Sequence, residues 1–306
     1  MVTESAPAGI ESRSLAQRAV TGLAYAAVGL GSVWAGNDLL ILPALMSVIG
    51  YLALKEFIQV TDSTMARTPR ILGLLTVSAL PLFSGISTLA TPANRVFGEA
   101  GVGPLAVPLF ILAVALGGYA WWGSMTVDAG IRDVALSFFG TAYIGLPLSF
   151  LVLIRGGLGD MAPHEAAFTT IALVLSVGFS DMFAYFAGSL FGRHKLAPKI
   201  SPKKSWEGLA GGIVGSVLVW AALGALLDPG FGLGVATVFG VAISLAGLVG
   251  DLFASRIKRE AGVKDSGTIL PGHGGMFDRI DSMLTAIPLA FIFISTIGAV
   301  LDAFIS

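Results

Sequence analysis

Cysteine is absent from the 306 residues, which excludes disulfides, thiolate nucleophiles and cysteine-ligated metals. Charge is scarce too: 12% of residues are charged against 55% hydrophobic, far from the balance of a soluble globular domain. The 18 Lys and Arg against 19 Asp and Glu leave a net charge of −1, so no basic excess points to nucleic acid. The first 14 residues are polar and lack the apolar core and small-residue cleavage site of a removable signal peptide, so the first apolar segment is expected to be a retained span. No repeat of fixed period and no linker to a second soluble domain is present.

Long apolar runs dominate instead. A bilayer core of about 30 Å takes roughly 20 apolar residues per helix, and nine windows approach that length: residues 19–36, 39–54, 71–90, 101–122, 134–154, 166–192, 208–227, 233–254 and 282–305. Lys and Arg concentrate on the cytoplasmic side of membrane proteins. With nine spans, all but Arg95 and Arg155 of the 18 basic residues fall on one side, together with the N-terminus. The expected fold is therefore all-α: a polytopic integral membrane protein of about nine transmembrane helices with a cytoplasmic N-terminus. It forms a single membrane domain over 1–306, with helices one to five in 1–165 and a catalytic part, helices six to nine, in 166–306. Gly208 with Gly212 and Gly211 with Gly215 form small-xxx-small pairs, which suit close helix packing.

Two polar connections, 193–207 and 255–281, carry five basic residues each on the expected cytoplasmic face. Carboxylates inside spans are costly and demand a reason; Asp181 and Asp251 are two such residues. Asp278 and Asp281 are three apart at the entrance to the last helix, so they share a face and can offer oxygen ligands to one cation. Gly272, Gly274 and Gly275 let the backbone approach an anion closely, while Lys258, Arg259, Lys264 and Arg279 can neutralise phosphate oxygens. Metal-type carboxylates, a glycine-rich turn and a basic set within 27 residues describe a nucleotide or pyrophosphate site. Each feature alone is weak, because helix-start aspartates often serve as caps and basic loops often reflect topology.

Position by position, Ser255, Ile257, Lys258-Arg259, Lys264-Asp265, Gly267, Leu270-Pro271, His273-Gly274-Gly275, Met276, Asp278-Arg279, Ile280 and Asp281 resemble the signature of the phosphatidate cytidylyltransferase family. The likeness extends to Asp181 and Tyr185, to 194–198, and to Ser201-Pro202-Lys203-Lys204-Ser205-Trp206-Glu207-Gly208, where Ser205 stands at a position commonly Thr. It is strong over about 176–290 and one of hydropathy alone before that. The resemblance implies CTP-dependent formation of CDP-diacylglycerol from phosphatidic acid at an inner-membrane, multi-pass enzyme that assembles as a homodimer. It also implies Mg²⁺, with K⁺ as a second ion, held by Asp251, Asp278 and Asp281. Lys203 and Lys204 would steady phosphates, with Ser201, Ser205 and Ser255 as hydroxyl partners and Asp181 reaching toward the cavity floor. Asp265 would orient a basic neighbour or contact the nucleotide, and His273 would either brace the turn or protonate the leaving group. Three rivals remain at this level: a secondary transporter using Asp181 and Asp251, a CTP-dependent lipid kinase, and a CDP-alcohol phosphotransferase, whose spaced aspartate motif is missing.

Overall fold

The computed structural model describes residues 27–35, 40–62, 65–90, 111–120, 131–158, 161–227, 233–269 and 274–305. Its principal elements are α1 (Ile41–Thr61), α2 (Arg67–Ala90), α3 (Ile131–Gly156), α4 (Pro163–Phe191), β1 (Lys195–Ala197), β2 (Ser201–Ser205), α5 (Trp206–Leu227), α6 (Leu233–Glu260), the single turn α7 (Phe277–Ile280) and α8 (Met283–Ile305). Residues 27–35 and Ile111–Ala120 are also helical. Helical residues thus occur in every expected window, and among the described residues α1, α2, α3, α4 and α6 are long and apolar enough to cross a membrane. The protein is a helical, multi-pass membrane protein.

Its helices lack the charged outer face of a soluble bundle. Large apolar side chains such as Val48, Leu75, Phe186, Leu218 and Val238 point outward, as lipid-facing residues do. Hydroxyls inside the helices turn back to their own backbone: Ser47 donates to the Pro43 carbonyl at 2.8 Å and Thr170 to that of Ala166 at 2.7 Å. Others join helices, with Ser137 donating to the Pro69 carbonyl at 2.7 Å and Ser180 bonded to Ser244 at 2.8 Å. These internal partners are what a medium without water requires.

α1, α2 and α3 pack as one group, α4, α5 and α6 as another, and α8 lies against both α3 and α6. The α4–α5 contact is the most intimate, and the small residues explain it. A Cβ on Gly211 would press on Ala187 and on the Phe183 carbonyl, and one on Gly215 would come 2.7 Å from the Phe179 carbonyl. The close-packing reading of these glycines therefore agrees with their contacts. α6 and α8 meet as tightly at Gly250, where a Cβ would collide with the Asp281 carbonyl and the Thr285 hydroxyl.

One element adds to the expected all-helical description. The connection 193–207 folds as an antiparallel hairpin, β1 against β2, with Lys195 opposite Ser205 and Ala197 opposite Ser201. Pro198 in the 198–200 turn and the polar Ser-Pro-Lys-Lys-Ser strand suit a short exposed ribbon rather than a helix.

Candidate active site

The hairpin and the ends of α4, α5 and α6 enclose a cavity of about 510 Å³, into which Asp181, Tyr185, Ser201, Lys203, Lys204, Ser205 and Asp251 face. Residues from three segments of the sequence meet here for a local reason at each. α4 carries Asp181 on the face that packs against Gly208 and Gly212, so no bulky side chain of α5 closes the space. β2 turns directly into α5, and the buried Ser205 hydroxyl accepts the Gly208 N–H at 3.1 Å, fixing the strand to the helix start. That anchor points Lys204 across the cavity, where its Nζ lies 2.5 Å from Asp251 Oδ2. Ser255, one turn further along α6, donates to Asp251 Oδ1 at 3.2 Å. At the hairpin's outer edge, His194 Nδ1 and Glu207 Oε1 pair at 2.6 Å.

Beside the cavity, the connection after α6 folds onto Asp278. Its carboxylate receives Lys258 Nζ at 2.6 Å, the Ser266 N–H at 2.8 Å, the Gly275 N–H at 3.0 Å and lies 3.0 Å from the Ser266 hydroxyl. The Lys258 and Asp278 side chains are 9% and 7% exposed, so neither ion has water to fall back on. Burial pushes the Asp278 carboxyl up, but the Lys258 ammonium and the two backbone N–H groups outweigh it and hold the carboxyl below its ordinary value. Gly274 adopts a φ of 79°, a left-handed conformation that glycine accepts freely; it turns the chain so that the Gly275 N–H reaches Asp278.

Asp281 faces the same ammonium at longer range. It precedes α8, lies 4.0 Å from Lys258 Nζ and accepts the Ser282 N–H at 2.7 Å. Burial, and then the nearby Asp251 charge, push its carboxyl up to about 7. Asp181 interacts with both Asp251 and Asp281. The close meeting of α6 and α8 at Gly250 thus juxtaposes Asp251 and Asp281, while Lys258 pairs with Asp278 at 2.6 Å and reaches Asp281 at 4.0 Å. Among the described residues no three His, Cys, Asp or Glu side chains form a ready-made metal cluster.

The remaining residues singled out in the sequence lie around this centre. Arg259 is exposed and donates to the Val263 carbonyl at 2.9 Å. Lys264, Asp265 and Arg279 are exposed near the loop surface. His273 lies outside the described residues. One participant escaped the sequence reading altogether: Glu56 of α1, 1% exposed, accepts the Phe277 N–H at 2.9 Å and the Ser266 hydroxyl at 3.0 Å. A carboxylate just past the end of the 39–54 apolar window is the signal that marks it.

Such an arrangement places lysines and hydroxyls around a cavity beside three mutually repelling carboxylates, groups suited to holding phosphate oxygens. Comparison with known proteins agrees. The model described as "Cytidylyltransferase family" matches residues 16–297. A protein of Pseudomonas aeruginosa named phosphatidate cytidylyltransferase is 37% identical over 205 residues, covering 64% of this chain and 76% of that protein. Proteins of the same name from Staphylococcus saprophyticus and Mycobacterium leprae are 38% and 37% identical over 157 and 161 residues. Those matches take in 51% and 53% of this chain and 57% and 49% of theirs, so the chain spans about half the length of these two relatives.

Proposed function

Because the chain belongs to the cytidylyltransferase family, we propose that it transfers the cytidylyl group of CTP to phosphatidic acid, giving CDP-diacylglycerol and pyrophosphate. The observation that carries this reading is the cavity in which Lys203 and Lys204 of the hairpin stand opposite Asp181 and Asp251. Its charged and hydroxyl groups stand against a largely apolar wall, which suits a lipid phosphate headgroup meeting a soluble nucleotide. In the membrane we place nine spans, with the hairpin and the 255–281 connection on the cytoplasmic side of the inner membrane, where basic residues accumulate.

In the reaction, a phosphate oxygen of phosphatidic acid attacks the α-phosphorus of CTP in line. The new O–P bond forms as the bond from the α-phosphorus to the bridging oxygen breaks, and pyrophosphate departs with that electron pair. The attacking phosphate monoester is already largely ionised near neutral pH, so the chain need not supply a strong base. Its task is to hold two anions together against their repulsion. Lys203 and Lys204 steady one set of phosphate oxygens from the hairpin, with the Ser201 and Ser205 hydroxyls beside them. The exposed Lys264, Arg259 and Arg279 gather the triphosphate, while the Gly274–Gly275 turn holds Asp278 in place. Asp265 orients this basic set.

A divalent cation fits part of the carboxylate set. Asp251 and Asp281 are adjacent, offer hard oxygen donors and destabilise one another when both are ionised, which a cation relieves. Asp251 would exchange the partly exposed Lys204 and Ser255 for the cation, whereas Asp278 is held by the buried Lys258 and two backbone donors and is the poorer candidate. Mg²⁺ held by two carboxylates and substrate phosphates would neutralise charge on the transferring phosphorus and on the leaving pyrophosphate. Assembly as a homodimer and the use of K⁺ belong to the same proposal.

The protein reconstituted in liposomes with and without phosphatidic acid tests the reading. CTP-dependent pyrophosphate release that requires phosphatidic acid is expected; solute counterflow without turnover would favour a carrier instead.

A further inference from the structure

Resting on that function, we propose that Glu56 is a positioning residue for the nucleotide loop, acting from a helix in the N-terminal half of the chain. Glu56 lies on α1, 210 and 221 residues before its partners Ser266 and Phe277. Its Oε2 holds both the Ser266 hydroxyl and the Phe277 N–H, clasping the two ends of the loop that carries Gly274 and Gly275. Gly267 and Gly275 both pack directly on this carboxylate. A Cβ on Gly267 would come 2.7 Å from Glu56 Oε1, and one on Gly275 would collide with Glu56 Oε2.

The Ser266 hydroxyl stands 3.0 Å from both Glu56 Oε2 and Asp278 Oδ2. Its single hydrogen serves one carboxylate at a time, so Glu56 and Asp278 compete for it and the position of one sets the bonding of the other. Glu56 is thereby linked through Ser266 to Asp278 and on to Lys258. Among the described residues Glu56 Oε1 has no hydrogen-bond partner. A buried carboxylate only partly satisfied is costly, and mere helix packing would be served as well by an apolar side chain. Phe57, the next residue on α1, packs edge-on against Phe277 with ring centroids 5.8 Å apart, so α1 holds the loop by an apolar contact as well. Glu56 supplies what that contact lacks, a fixed point for the loop's N–H and hydroxyl groups.

The test is Glu56→Gln, which keeps shape and packing but removes the negative charge that strengthens the hold of one oxygen, Oε2, on both loop donors. We expect kcat/KM for CTP to fall by at least tenfold while KM for phosphatidic acid and the melting temperature stay near wild type. Hydrogen exchange should rise over 264–277 and not over α4. Glu56→Asp, which restores a carboxylate, should recover part of the CTP term. Unchanged CTP kinetics, or losses for both substrates in step with a lowered melting temperature, would overturn the proposal. Should Glu56→Gln fail to fold, Ser266→Ala removes the link to Asp278 and decides by the same CTP-selective readout. A wild-type protein without CTP turnover defeats the functional reading itself; an active wild type with an indifferent Glu56→Gln defeats only this inference.

Discussion

Replacing Lys258 by Met should destabilise the fold more than its surface-like sequence position suggests. Lys258 Nζ sits 2.6 Å from Asp278 Oδ1, and both side chains are less than a tenth exposed. Removing one ion of a buried pair strands the other, typically at about 3–5 kcal/mol. Asp278 would keep the Ser266 and Gly275 N–H groups, which argues for the low end, about 3 kcal/mol. Neutralising both partners removes the stranded charge, so Lys258→Met combined with Asp278→Asn should be markedly more stable than Lys258→Met alone. Equilibrium unfolding in mixed detergent micelles, run on both single variants and the double, gives the coupling. We expect more than about 2 kcal/mol. A coupling below about 0.5 kcal/mol, the scale of an exposed pair, would show that the two ions do not share a buried environment and would refute the reasoning.

Other perturbations follow from the same geometry. Lys204→Met removes the cation opposite Asp251, and KM for CTP should rise about tenfold, the worth of one charge-assisted contact; steady-state kinetics on folded protein decides it. Gly250→Ala forces α6 from α8 where a Cβ meets Asp281 and Thr285, and should cost about 1–3 kcal/mol of stability in the same unfolding assay; Gly262→Ser, which meets no neighbour, should cost about 1 kcal/mol from its φ of 73° alone. Asp281, raised from 3.8 to about 7, favours the folded state below pH about 4, and that contribution is lost as pH rises through about 7. Metal-free protein should therefore unfold more readily at pH 8 than at pH 5. Since a cation must displace this proton, apparent Mg²⁺ affinity measured by calorimetry should rise about tenfold from pH 6 to pH 8, a slope that Asp281→Asn should abolish.

Much of this was legible before any coordinates. Hydropathy located the helices because lipid imposes one strong rule on composition, and the glycine pairs at the start of α5 announced the tight α4–α5 contact. The basic and acidic residues of the two polar connections were legible as well, and Lys203, Lys204, Asp181 and Asp251 do line one cavity. Spacing could not say which carboxylate meets which. Asp278 and Asp281 do present to one cation, the Lys258 ammonium at 2.6 and 4.0 Å, but their spacing could not show that a lysine of α6 is the cation they meet. Nor did periodicity reveal the hairpin, whose strands are too short for an alternation to emerge. Glu56 escaped because its partners lie more than 200 residues away, and hydropathy registers a charge at a span's end as a boundary, not as a contact.

Labelled CTP tests the central claim most directly. With wild-type protein, phosphatidic acid and Mg²⁺, label at the α-phosphorus should appear in lipid as CDP-diacylglycerol, and label at the γ-phosphorus should leave as pyrophosphate. Transfer of the γ-label to lipid with release of CDP, or no labelled lipid from either, would contradict it.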